Sequence, residues 1–160
     1  MNPSRLLVAL TLTSALIVGC NGGSATASPI ASPTATVDCT AIKPMAELKG
    51  CDLRGANLAG ANLTGANLAG ANLTGADLLA TKFYSANLAG ANLAGADLLG
   101  ADFRKADLSG TDFTDAMLVL ADFSGANLTG ANLTGASIRD AFFTDSILTG
   151  ATMPDGSIHP

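Results

Sequence analysis

The stretch Ala66-Asn67-Leu68-Ala69-Gly70-Ala71-Asn72-Leu73-Thr74-Gly75-Ala76-Asp77-Leu78 decides the fold. It states one five-residue unit again and again: Ala, a short polar residue, Leu, a variable residue, Gly. Read outward in both directions, the unit keeps its register from Ala46 to Asp155, through twenty-two blocks without a slip. The third position is Leu, Phe, Ile or Met in every block, and the first is Ala in eighteen of them. A period of five matches neither the 3.6 of a helix nor the 2 of a strand. Self-similarity at a fixed period predicts a solenoid, in which each unit buries its apolar face only against its neighbours.

The pattern resembles the pentapeptide repeat family, whose motif is A(D/N)LXX. The resemblance covers residues 46–155 and implies an all-β fold, a right-handed quadrilateral β-helix. Four blocks would form one square coil of twenty residues, so the chain would make about five and a half coils. The first and third residues of each block would point inward and the other three outward. Gly at the fifth position would allow the dihedrals that a corner demands. The sequence tests the twenty-residue coil independently. Phe occurs at third positions 83, 103, 113, 123 and 143, and four of these five are spaced by twenty. They would stack on one interior side at about the 4.8 Å spacing of paired strands. Residues 39–47 would cover the start of the stack. Met153-Pro154-Asp155-Gly156 breaks the pattern, and residues 156–160 would form a short tail with His159 in a frayed end.

The segment before the repeat reads as delivery. Leu6 to Val18 is an apolar run, too short to span a bilayer but suited to a secretory signal over residues 1–19. Its end, Ile17-Val18-Gly19-Cys20, resembles the lipobox of bacterial lipoproteins. That resemblance implies a lipidated Cys20, a membrane partner through the lipid, and an exported protein facing the periplasm or the exterior. A competing A-x-A site, Ala25-Thr26-Ala27, would place cleavage before Ser28 instead. After Cys20, residues 21–38 are mostly Ser, Thr, Ala, Pro and Gly with no charge before Asp38, so that residues 20–38 are expected to form a flexible tether or a glycosylated stalk. With Cys20 carrying lipid, Cys39 and Cys51 remain as an even pair that an oxidising compartment would join in a disulfide, unless both stay free thiols.

Composition narrows function. The formal net charge is −5, so a phosphate backbone is an unsuitable partner and no nucleic acid is expected. The single His, at position 159, offers little for acid–base or zinc chemistry. A filled square core implies no cleft, hence no enzyme, cofactor or small-molecule substrate. The Asp rows, such as Asp77 with Asp97 and Asp102 with Asp122, would be solvated repeat positions rather than a Ca²⁺ site. Outward Asn residues would stack as hydrogen-bonded ladders, Asn67 on Asn87 for example.

One region departs from polar. Leu79, Leu99 and Val119 occupy the outward fourth position at twenty-residue spacing, and Met117 and Leu120 extend them. Around the corner lie Lys82, Tyr84, Arg104 and Lys105, with Tyr84 and Arg104 spaced for a cation–π contact. An apolar column rimmed by charge is a candidate contact patch for a protein partner or for self-association; sequence drift on a tolerant surface is the alternative. The expected function is therefore a non-catalytic, lipid-anchored structural or protein-interaction module. The second reading, also implied by the family, is an acidic DNA-mimic rod that binds a type II topoisomerase. Residues 46–155 carry twelve acids and six bases, thin for such a mimic.

Overall fold

The structure, a computed structural model, describes residues 37–160. The expected signal peptide, Cys20 and the expected tether up to residue 36 lie outside the described residues.

From Ala46 onward the chain winds as a square helix with twenty residues per coil. Parallel bridges join each second-position residue to its counterpart twenty residues on, from Glu47–Asn67 to Asn132–Thr152, without interruption. We number the sides by their first blocks: side 1 begins at Ala46, side 2 at Cys51, side 3 at Ala56 and side 4 at Ala61. One hydrogen-bond pattern recurs on all four. The third-position N–H donates to the second-position carbonyl of the next coil, as in Leu68 to Asn87 (2.6 Å). The fifth-position N–H donates to the fourth-position carbonyl, as in Gly90 to Ser109 (2.8 Å). The next block's first N–H closes the corner on the third-position carbonyl, as in Ala91 to Leu88 (2.9 Å). Backbone polarity is thus satisfied coil by coil, which lets a core of Leu and Phe form without regular strands.

The fifth position turns every corner with a left-handed residue. Fourteen glycines take it, and so do Ala80, Ser85, Lys105, Asp115, Leu120, Asp140 and Asp145, with φ between 52° and 61°. In the last block Gly156, not Asp155, carries the positive φ. The sequence explains the glycines; it gives no warning that seven side chains accept the same strain.

First and third positions form the core. Leu48, Leu63, Leu68, Leu98 and the three rings Phe83, Phe103 and Phe123 are fully buried. The rings of Phe83, Phe103, Phe123 and Phe143 stack on side 4, each 5.0 Å from the next and within 7° of parallel. Phe113, on the opposite side 2, enters edge-on against Phe103 at 5.8 Å and Phe123 at 6.1 Å. The two first-position threonines are buried as well. Thr81 and Thr111 donate their hydroxyls to the carbonyls of Leu58 and Leu88, 2.8 and 2.9 Å away.

The outer polar rows differ from the expected ladders. Each Asn or Asp at a second position from Asp52 to Asn132 accepts, through Oδ1, the backbone N–H two residues on; Asn92 with Ala94 (3.0 Å) and Asp112 with Thr114 (2.9 Å) are examples. The amide oxygen closes a local Asx turn, so few side chains are left to reach the next coil. Asn67 to Glu47, Asn127 to Asp107, and Asn132 to Asp112 and Thr114 do so.

The ends are unlike each other. At the start Met45 N–H donates to the Thr64 carbonyl (2.9 Å), and Cys39 and Cys51 are bonded across a Cα separation of 5.6 Å. At the finish the tail is not frayed. It turns at Gly156 and lies antiparallel on side 2: Met153 N–H to Ser157, His159 N–H to Ala151 and Gly150 N–H to His159, all within 2.9 Å.

Candidate interaction surface

Side 3 carries the apolar column, and the repeat itself builds it. Asp77 and Asp97 close Asx turns on the N–H groups of Leu79 and Leu99, both at 3.2 Å, which fixes the fourth position outward. The carbonyls of Leu99 and Val119 accept from Ala80 and Gly100, both at 2.9 Å, so the three side chains sit one coil apart. Leu79 is 41 % exposed, whereas Leu99 and Val119 are half-buried, shielding one another along the column. Met117 and Leu120 are the more exposed members, at 47 % and 51 %. Leu120 holds a corner at φ 61°, a conformation that costs a branched side chain roughly 1–2 kcal/mol.

Side 4 carries the charged rim. Arg104 grips Asp102 with two parallel bonds, Nε to Oδ1 at 2.8 Å and Nη2 to Oδ2 at 2.7 Å, and its Nε stands 3.8 Å from Asp122. Its guanidinium lies 5.7 Å from the centre of the Tyr84 ring, and Lys105 Nζ lies 5.6 Å from it. The Arg104 fork beside Asp102 holds that carboxyl below the usual range and raises Arg104 in turn. The Lys105 ammonium lowers the Tyr84 phenol. An open recess of about 360 Å³ is lined by Tyr84, Arg104, Lys105, Ser124, Thr144 and Asp145.

The expected patch is therefore two neighbouring features. Leu79, Leu99, Met117, Val119 and Leu120 form one on side 3. Tyr84, Arg104 and Lys105 form the other, at the far end of side 4. The second-position row of Lys82, Asp102 and Asp122 runs between them, its backbones paired coil to coil. Among the described residues no group of three His, Cys, Asp or Glu side chains is placed to hold a metal ion. Sequence reasoning passed over a further apolar group on the last coil. Phe142 (55 % exposed) and Ile147 (53 %) stand in second positions that in most blocks take Asn or Asp, and that substitution was the available signal.

This repeat geometry coincides with a known family. The model described as pentapeptide repeats matches in eight copies over residues 46–78, 81–118 and 116–153. The chain belongs to the pentapeptide repeat family. Members are in general structural or interaction modules rather than enzymes. Among solved structures the chain is similar to HetL from the cyanobacterium Nostoc, a pentapeptide repeat protein involved in heterocyst differentiation regulation. Identity is 38 %, the TM-score is 0.56, and the match covers 72 % of this chain and 61 % of HetL. It is also similar to Rfr23 from the cyanobacterium Cyanothece, at 30 % identity and a TM-score of 0.54, over 63 % of this chain and 86 % of that one. No curated protein sequence matches significantly.

Proposed function

We propose that the chain is an exported, lipid-anchored, non-catalytic module that binds another protein through side 3 of its helix. The apolar column Leu79–Leu99–Val119, with Met117 and Leu120, carries this reading. The same outward fourth position holds Ala, Ser or Thr throughout sides 1 and 2 between residues 69 and 149. Apolar side chains kept in register over three coils suit a partner with an apolar face. The apolar run Leu6–Val18 ending in Gly19-Cys20 supports export and lipidation. The acidic-rod reading draws less support, because the Arg54–Asp52 and Arg104–Asp102 pairs neutralise carboxylates that a phosphate mimic would leave free.

Two measurements test the proposal. The mass of the N-terminal peptide from a membrane fraction should be that of a chain beginning at lipid-bearing Cys20. A start at Ser28 or an intact Met1 would overturn the anchor, and Met1 in the cytosol would restore the topoisomerase reading. Leu79→Lys with Leu99→Lys should abolish co-purification of the envelope partner while the thermal midpoint stays within a few degrees. Unchanged co-purification by the folded double variant would refute the side 3 surface.

A further inference from the structure

Charge beside the apolar column of side 3 is one-sided. The second-position row next to it carries Asp77 and Asp97, whose backbones pair one coil apart. Each closes its turn through Oδ1, on the N–H of Leu79 and of Leu99. Among the described residues neither carboxylate has a cation within ion-pair distance; the ion pairs take Asp52, Asp102, Asp122 and Asp140 instead. Around the opposite corner the charges balance. Arg104 grips Asp102 and approaches Asp122, and Lys82 stands one coil from Asp102. At the third level Met117 takes the place of an acid, and Leu120 lies on the other flank of Val119. The column is thus edged by two unpaired carboxylates at Leu79 and Leu99 and by apolar side chains at Val119.

Resting on the reading of side 3 as a protein-binding surface, we propose that its occupant is a cationic amphipathic helix laid along the axis of the stack. Its apolar stripe would cover Leu79, Leu99 and Val119, and Lys or Arg on one edge would meet Asp77 and Asp97. Spacing selects a helix. The rings on side 4 repeat at 5.0 Å per coil, so the three side chains of the column span about 10 Å. A helix presents apolar side chains at i, i+3 or i+4, and i+7 over about 10.5 Å. An extended segment repeats one face every 6.6–6.8 Å, so three of its side chains span about 13 Å and fall out of step by most of a coil. Charge selects the sign. Cations one helical turn apart match the separation of the two carboxylates, and their aliphatic stems would lie over the leucines. An anionic edge would meet two unpaired acids, a repulsion that rejects such a partner. The third turn of the helix meets Met117, Val119 and Leu120, so it needs no charge there.

The probe is a labelled, Ala-based helical peptide of about eighteen residues. It carries a Leu stripe at the spacing above and Lys along both edges, so that either chain direction presents cations to Asp77 and Asp97. A twin carries Glu in place of Lys. The full chain is held in phosphatidylcholine nanodiscs, and empty nanodiscs give the background. Fluorescence anisotropy should show the Lys peptide bound about tenfold or more tighter than its twin. Asp77→Asn with Asp97→Asn keeps the oxygens that close the turns and should weaken the Lys peptide about fivefold or more. Asp107→Asn with Asp112→Asn removes the same charge from sides 1 and 2 and should change binding less than about twofold. Leu79→Ser with Leu99→Ser, a residue that fourth positions 109 and 124 already hold, should weaken it about tenfold or more. A Pro in the middle of the peptide should abolish binding. Equal weakening by the two Asp pairs would reduce the attraction to net charge and overturn the proposal. So would equal binding of the twin, undiminished binding of the Pro peptide, or no binding of the Lys peptide. Co-purification with Leu79→Lys and Leu99→Lys decides separately whether side 3 binds a protein at all, so the two failures are distinguishable.

Discussion

Phe103 and Phe83 occupy the same interior side, one coil apart, and both are fully buried. Replacing either with Leu removes the same atoms from the same kind of site, so the area and volume contributions largely cancel between them. Their ring neighbours do not. Phe83 meets one ring, Phe103 at 5.0 Å. Phe103 meets three: Phe83 and Phe123 stacked, and Phe113 edge-on. Each such contact is worth roughly 0.5–1.5 kcal/mol beyond buried area. Phe103→Leu should therefore cost about 1–3 kcal/mol more than Phe83→Leu. Urea unfolding, analysed with a common slope, reads that difference directly. The double variant should lose about 0.5–1.5 kcal/mol less than the sum, since the two rings share one contact. Equal single costs to within about 0.5 kcal/mol would refute the reasoning and leave the ring column as packed area alone.

Corner chemistry gives a paired expectation. Gly90→Ala, at φ 65° with no atom within 4 Å of the added Cβ, should cost about 1 kcal/mol, and Ala80→Gly, at φ 52°, should gain a similar amount. Thermal midpoints moving in the same direction would refute a conformational origin. Acid should weaken the fold through Asp52, Asp102 and Asp155. All three are held below the ordinary 3.8, Asp52 and Asp102 by Arg54 and Arg104 and Asp155 by Ser157. Their folded values are depressed, so their contribution is complete above that value and is lost as the pH falls through and below it. Midpoints measured from pH 7 to 2 should be flat to about pH 4 and then fall, and Arg104→Gln should flatten the fall. Opening the Cys39–Cys51 bond, which spans twelve residues, should cost about 3 kcal/mol. Reductant and the double Ser variant should lower the urea midpoint equally.

Much of this molecule is legible in its sequence, because one residue type per position repeats in an unbroken register. The coil length follows from Phe83, Phe103, Phe123 and Phe143, whose spacing only a four-sided coil explains. Phe113 shows where that logic stops. Its place on side 2 is readable, but its edge-on approach to two stacked rings depends on the width of the core, which no residue pattern carries. The tail was illegible for a different reason. Ser157-Ile158-His159 has too few residues to show an alternation, and its pairing is set by the donors and acceptors that the last coil leaves open. The outer Asn rows misled because an amide one coil away and an N–H two residues away compete for the same oxygen, and the local partner wins on proximity. Of the candidate patch, the column on side 3 was readable from spacing. The separation of Tyr84 and Arg104 from it by the Lys82–Asp102–Asp122 row follows from the order of positions along side 4.

Met117, Phe142 and Ile147 share a feature with a measurable consequence for the helix itself. Each stands where most blocks place Asn or Asp, and each lacks the oxygen that closes a turn on the N–H two residues on. The missing bond is worth about 0.5–1.5 kcal/mol, and each of these side chains is also about half exposed to water. Folding of the isolated helix gains nothing from either change. Phe142→Asn restores the repeat residue and, with it, a turn on Thr144 N–H. It should raise the stability of the chain by about 0.5–1.5 kcal/mol. Urea unfolding of the two chains, analysed with a common slope, reads the effect. A variant that is less stable as a monomer would show that Phe142 serves the helix itself, and the argument from turn substitution would fail for all three positions.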